Sequence, residues 1–296
     1  NGTLRLRGTN TNGTASAWSG YSTITFTDKN VKVACTGDIR TLQDWRNYST
    51  VDTQNAKFSY LFYDCSVLTS APELPATTLA DKCYSYMFHN CTSLTSAPKL
   101  PATTLAGSCY NSMFSGCTSL TAAPELPATT LADNCYLNMF LGCTGLTSAP
   151  ELKATTLAGS CYYGMFLGCT GLTAAPELKA TTLEKYCYNR MFKGCTSLTA
   201  APKLKATTLA YYCYYDMFSG CTKLSTVTML APSDQISNWC DNWLDNAGTD
   251  PTVKSRTLIV SDEAAYNKLV NVGVLPTDYW QAGNCTVKAA DGTDIK

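Results

Sequence analysis

The chain has 296 residues, with 22 basic and 22 acidic side chains and a single histidine, a balance without the positive bias that nucleic acid or an anionic membrane surface demands. No apolar run approaches the roughly 18 to 20 residues that span a bilayer, and the sixteen cysteines are far more than a chain long enough to bury its own core needs as staples. The first residue is Asn rather than Met, so any targeting segment is expected to have been removed.

In chain order, two β-type runs come first, "STITFT" from Ser22 and "VKVACT" from Val31. They predict an amino-terminal cap over residues 1–56, which a stack of repeats requires because its terminal coil otherwise exposes core.

From Phe58 a period takes over. Cys65, Cys91, Cys117, Cys143, Cys169, Cys195 and Cys221 recur every 26 residues, and Cys83, Cys109, Cys135, Cys161, Cys187 and Cys213 form a second series with the same period. A unit of this length cannot bury its apolar face alone, so the period predicts a solenoid of stacked coils. Six near-identical copies run from Cys65 to Gly220, and a degenerate seventh from Cys221 to Asn246. Within one copy Leu120, Ala122, Pro124 and Leu126 alternate with Thr121, Ala123 and Glu125, the pattern of an extended segment with one face inward. Proline cannot donate to a ladder, so the sheet is expected to be short or interrupted. Cys135, Tyr136, Met139 and Phe140 then fall at i, i+1, i+4 and i+5, which predicts a short helix stopped by Gly142. The expected fold is an α/β repeat solenoid, a right-handed coil of 26-residue strand and short-helix units over residues 57–247, with caps at 1–56 and 248–296.

The junction "MFSGCTSLTAAPEL", repeated as F-x-G-C-T-x-L-T, resembles the BspA-like branch of leucine-rich repeats carried on surfaces of Bacteroides-type bacteria and some protists. The resemblance covers Phe58 to Leu244, and the lead-in "ACTGDIRTLQDW" is similar to that of such proteins. It implies a bacterial cell-surface or secreted protein freed of its signal peptide, adhesin-like, with a host protein as partner. The longer "PATTLA" stretch and the second cysteine column depart from the usual unit.

The cysteine pairs admit a metal, a disulfide or plain core. A spacing of eight, with His89 the single histidine, is not a metal-ligand pattern. Eight helical residues place Cys109 about 12 Å from Cys117, whereas a bridge needs Cα atoms within about 7 Å. Counting on by 26 puts Trp239 and Ala247 in the two columns of the seventh unit, apolar replacements that suit buried thiols acting as small hydrophobes. Both cysteines of a pair vanish together there, as a bridge would, so the disulfide alternative stays open. Cys35 and Cys285 lie outside both columns.

Five positions per unit refuse to repeat: the two before each Cys-Tyr, the two after it and the one after Met-Phe. At i, i+1, i+4, i+5 and i+8 they are expected to form the outward face of the helix. The first copy gives Asp81, Lys82, Ser85, Tyr86 and His89, the second small residues from Gly107 to Ser115, and the last two Lys185, Tyr186, Asn189, Arg190, Lys193 and Tyr211, Tyr212, Tyr215, Asp216, Ser219. Tyr, Ser, Asn and Gly dominate these columns, the set that favours adaptable contact in paratopes. The strand face varies only between Glu and Lys or Pro and Lys, at positions such as Glu151, Glu177, Lys179 and Lys205. Uniform drift would have touched both faces. A binding ridge is therefore expected on the helix side, with Tyr163, Tyr186, Asn189, Arg190, Lys193, Tyr211, Tyr212, Tyr215 and Asp216 as its candidate anchor, since Tyr and Arg dominate interface hot spots. The charged strand face, and repeats without any site, are the alternatives.

Beyond Ala247, "RTLIV" predicts a strand, and Ser261 before "DEAAYNKLVNVG" a capped helix ending before Gly273. Trp239, Trp243, Tyr279 and Trp280 read as cap core. No G-x-S-x-G, phosphate loop or fixed partner for His89 is present, so no catalysis and no cofactor is expected. Two functional classes remain, a noncatalytic surface adhesin for a host protein and a glycan-capture module of a nutrient-uptake system, in which the exposed tyrosines would stack on sugar rings.

Overall fold

The computed structural model describes residues 3–17, 20–51 and 53–295. Its coils stack in sequence order around one continuous core that runs from Ile39 to Ile295. Each regular coil contributes the same set; in the third copy Leu120, Leu126, Ala128, Leu131, Cys135, Tyr136, Met139 and Phe140 are all buried. Stacking turns each position into a column. Phe62, Phe88, Phe114, Phe140, Phe166, Phe192 and Phe218 form a file of near-parallel rings with centroids 5.5 to 5.7 Å apart, and Tyr84 to Tyr214 form a second.

The segment expected to be a short helix is instead a ribbon of consecutive tight turns. Asn111, Met113 and Ser115 donate to Ser108, Tyr110 and Ser112 within their own coil at 3.2 Å, while Tyr110, Ser112 and Phe114 donate to Cys135, Leu137 and Met139 of the next coil at 2.8 to 3.0 Å. Alternate N–H groups thus serve the turn and the neighbouring coil, and every peptide group is used. Closing such turns puts each fourth residue at left-handed φ, as at Asn134 (56°), Asn138 (51°) and Gly142 (70°). Gly142 therefore continues a series of turns rather than stopping a helix. Apolar residues at i, i+1, i+4 and i+5 suit a repeat of four as well as one of 3.6, which is why the pattern pointed to a helix.

The extended segments meet through isolated parallel bridges, Ala122 with Ser148, Leu126 with Leu152 and Thr130 with Thr156, because the proline between them has no N–H to continue the ladder. Without a continuous pleat the expected alternation fails: Leu120 and Leu126 are buried, but Ala122 is exposed and Ala123 packs against the core instead.

All sixteen cysteines are free thiols. Neighbours belong to one column, so Cys109 lies by Cys83 and Cys135, and Cys117 by Cys91 and Cys143. In the first column each S–H from Cys91 to Cys221 points at the preceding coil; Cys143 Sγ donates to Phe114 O at 3.0 Å, and the same carbonyl accepts from Cys117 N. In the seventh unit Trp239 keeps the backbone register, accepting from Tyr214 N at 3.3 Å, but it is Cys240 whose side chain is fully buried beside Cys213. The second column therefore ends in a thiol rather than an indole, while Ala247 does close the first.

At the amino end, β1 (Ala15–Ala17) pairs with β2 (Gly20–Tyr21), and β3 (Val33–Ala34) lies parallel to β4 (Leu68–Ser70). "VKVACT" thus supplies a short strand, whereas "STITFT" forms none. At the carboxyl end a parallel sheet runs β5 (Thr226–Met229), β6 (Thr257–Val260) and β7 (Thr286–Ala289), closed by antiparallel β8 (Asp294–Ile295). Between β6 and β7 stand helices α1 (Glu263–Asn271) and α2 (Thr277–Trp280). The N-cap of α1 is Asp262, accepting from Ala265 N at 2.8 Å, and not Ser261, which donates to Ala231 O. Trp243 and Trp280 are fully buried and donate to Val274 O and Ala247 O, as cap core requires.

Candidate ligand-binding site

The five variable columns flank the turn ribbon, but they are not uniformly outward. Coils so close together cover small polar side chains with their neighbours, and Ser85, Asn111, Ser112, Ser115, Asn189, Asp216 and Ser219 are buried. Asn189 and Asp216 therefore correct the expectation of an exposed anchor; they form its floor.

The structure brings the candidate anchor together on three successive coils. Asp216, 4% exposed, accepts from Arg190 Nε at 3.1 Å and from Lys193 Nζ at 2.7 Å. Arg190 also donates from Nη1 to the Tyr163 hydroxyl at 3.0 Å, and its guanidinium lies 5.6 Å from the Tyr215 ring centroid. Burial works to lower the Arg190 pKa, but the Asp216 bond and the surrounding tyrosines more than offset it, and the pKa is raised. Above this floor Tyr186 and Tyr212 of successive coils stack at 6.0 Å and 23°, while Tyr211 meets Tyr186 at 87° and Tyr212 at 65°, and Tyr215 meets Tyr212 at 84°. Tyr211, half exposed, hydrogen-bonds Tyr212 and raises its pKa. Tyr163, Tyr186, Asn189, Arg190, Tyr212 and Tyr215 line an open depression of about 300 Å³.

Backbone conformation separates this end from the middle of the ridge. Tyr186, Arg190, Tyr212 and Asp216 all have φ between 51° and 57°, where a Cβ crowds the chain and Gly or Asn is favoured. The equivalent positions of the central copies carry Ser108, Ser112, Asn134, Asn138, Ser160 and Gly164. The coil thus closes with small residues, and the bulky ones are retained against a backbone preference, a signature associated with functional surfaces.

A second aromatic group at the other end of the ridge escaped the sequence reading. Tyr21, Tyr60 and Tyr86 stack at 4.3 and 4.9 Å, and Tyr63 stacks on His89 at 4.9 Å. The signal was present, because Tyr60 and Tyr63 lie 26 residues before Tyr86 and His89; the period extends one coil upstream of the first copy considered. The strand face is self-satisfied in the later copies, with Lys179 on Glu151 and Lys205 on Glu177, each at 2.6 Å. Among the described residues no cluster of His, Cys, Asp or Glu could hold a metal ion, and no helix is long and apolar enough to cross a membrane.

The model of the BspA-type leucine-rich-repeat region matches residues 53–164 and 138–242, in six copies. No curated protein matches the chain. Among solved structures, a leucine-rich repeat protein from Bacteroides ovatus is similar at 15% identity, with 82% of each chain covered and a TM-score of 0.24.

Proposed function

Because the chain belongs to the BspA-type leucine-rich-repeat family, we propose that it is a noncatalytic, adhesin-like binding protein of a bacterial surface or its surroundings, and that it docks a host protein through the tyrosine-rich end of the ridge. The observation that carries this reading is the Asp216 hub: one buried carboxylate fixes Arg190 and Lys193, so Arg190 and the tyrosines packed on it are held in place before a partner arrives. Preorganised aromatic and arginine anchors lose little freedom on binding and dominate interface energetics. The absence of a nucleophile with a fixed base in the sequence supports a noncatalytic role.

Protein and glycan arrays probed with the purified chain test the proposal. Binding to a protein that weakens about tenfold or more in both Tyr212→Ala and Arg190→Ala, and is unchanged in Lys179→Ala, is the expected result. Loss of binding in Lys179→Ala with both ridge variants intact moves the site to the strand face. A glycan hit with the same ridge dependence makes the chain a glycan-capture module.

A further inference from the structure

The extended side of the stack ends on an open strand at both ends. β3 is its first member: Val33 and Cys35 donate inward to Val67 O and Ser70 O at 2.9 and 3.1 Å, and Ala34 lies opposite Ser70. Alternate residues of a strand bond on opposite sides, so Lys32 and Ala34 turn their N–H and C=O groups outward, where no backbone group of the described residues meets them. β8 is the last member. The final regular copy bridges to β5 through Ala200 and Thr226, and the sheet then runs β5, β6, β7 and β8. An edge of this kind is a template for strand pairing with another chain.

The two edges complement each other residue by residue. On β3, Val33 packs against the core, and Val31, two residues earlier on the same face, is 58% exposed. Lys32 lies on the opposite, solvent face; it donates to the Ser93 hydroxyl and meets no carboxylate among the described residues. On β8, Ile295 is buried, and Asp294 lies on the solvent face, 69% exposed, with one oxygen 3.2 Å from Lys288 Nζ. Edge to edge, these strands set Ile295 by the two valines and Asp294 by Lys32. The ends as a whole carry the same polarity: residues 1–56 hold six basic and four acidic side chains, and residues 234–296 five basic and nine acidic. Two amino ends would oppose Lys32 to Lys32, and two carboxyl ends Asp294 to Asp294, and like charges opposite one another on paired strands are destabilising. One end of each kind satisfies both edges.

We infer that copies of this chain associate head to tail, β8 of one copy adding to the free edge of β3 on the next, with Asp294 against Lys32. The added strand supplies backbone hydrogen bonds, and the side chains on its two faces select the partner. Because the contact joins two different surfaces, a pair of copies still has a free edge at each end, and the assembly grows. It involves neither Arg190 nor the tyrosines around it, so it stands independently of the proposed function.

Sedimentation of the full chain over a concentration series tests the inference. The mean mass should rise with concentration past that of a dimer, and less steeply in high salt. Lys32→Glu and Asp294→Lys should each raise the concentration needed for association by about tenfold or more, and an equimolar mixture of the two variants should recover it, because every junction in the mixture again sets a cation against a carboxylate. Ala34→Pro removes an outward N–H and leaves both charges, and it should abolish association. Its melting curve should match that of the unsubstituted chain, since proline is tolerated where the N–H faces solvent; if it unfolds the cap, the charge-reversal mixture carries the test alone. A monomer at every concentration, growth that stops at a dimer, association indifferent to Lys32→Glu, or a mixture that does not recover it overturns the inference.

Discussion

The regular copies and the carboxyl-terminal coils solve the same stacking problem in two ways. In the copies, prolines such as Pro124 and Pro150 reduce the sheet to single bridges, and lateral bonding moves to the turn ribbon, where every second N–H reaches the next coil. From Thr226 onward the proline position is Thr228, and β5 and β6 pair through four consecutive residues, Thr226 with Thr257 to Met229 with Val260. With the ladder restored, the connecting segment keeps its hydrogen bonds to itself and α1 forms a true helix. A coil can carry its lateral bonds on either side, and proline decides which.

The comparison breaks most visibly at high pH. Burial raises the thiols of Cys109, Cys143, Cys161, Cys213 and Cys221 from 9.0 to about 12. A thiol that holds its proton more tightly in the fold contributes stability that is complete below pH 9 and is lost as pH rises toward 12, at about 1.4 kcal/mol per pH unit for each thiol. The repeats are therefore expected to unfold cooperatively above pH 9 in a circular-dichroism titration. Beyond Ala247 the chain holds only Cys285, so Trp280 fluorescence should report the loss of that end as a consequence and not as the trigger. Alkylation of the chain unfolded without reductant should add sixteen labels; a mass showing six or more bridges, or a fold indifferent to pH 11, would reject the free-thiol core.

Next in size is the ring file. Phe140→Ala opens a fully buried site between two stacked rings and should cost about 3 to 5 kcal/mol in denaturant melts. A loss below about 1 kcal/mol would mean that neighbouring coils close the gap and leave no cavity.

Capping then separates the helix from the ribbon. Asp262→Ala should destabilise by about 0.5 to 2 kcal/mol, and Ser261→Ala by less, because its hydroxyl bonds a carbonyl outside the helix. In the ribbon, Gly142→Ala meets no atom within 4 Å of the new Cβ yet sits at φ 70°, so its cost should be the left-handed penalty alone, about 1 to 2 kcal/mol. If Gly142→Ala is neutral, the ribbon tolerates a Cβ there and the turn geometry is wrong. The smallest effect is expected at Lys179→Ala, whose partner Glu151 is solvent-exposed; its unfolding midpoint should match that of the unsubstituted chain.

Much of this was legible in the chain. The period of 26, the cysteines as core and the meeting of Tyr186, Arg190 and Tyr212 all follow from columns that stacking must create. The ribbon was half legible: Asn134, Asn138 and Gly142 stand four apart, and residues tolerant of left-handed φ at that interval signal turns rather than a helix. The aromatic group around Tyr60 was hidden only by starting the period one coil late.

In the regular copies the order of residues alone settles which of them share a column, because a fixed period and an apolar pattern leave stacking no other solution. Where the backbone hydrogen bonds go is settled by contact between coils, since a repeat of four apolar positions suits helix and ribbon alike and the choice turns on carbonyls of the next coil. Tertiary packing likewise places Cys240 rather than Trp239 at the end of the thiol column and sets Asn189 and Asp216 beneath the tyrosines instead of beside them. Such outcomes depend on how closely neighbouring coils approach, a distance that no single coil encodes.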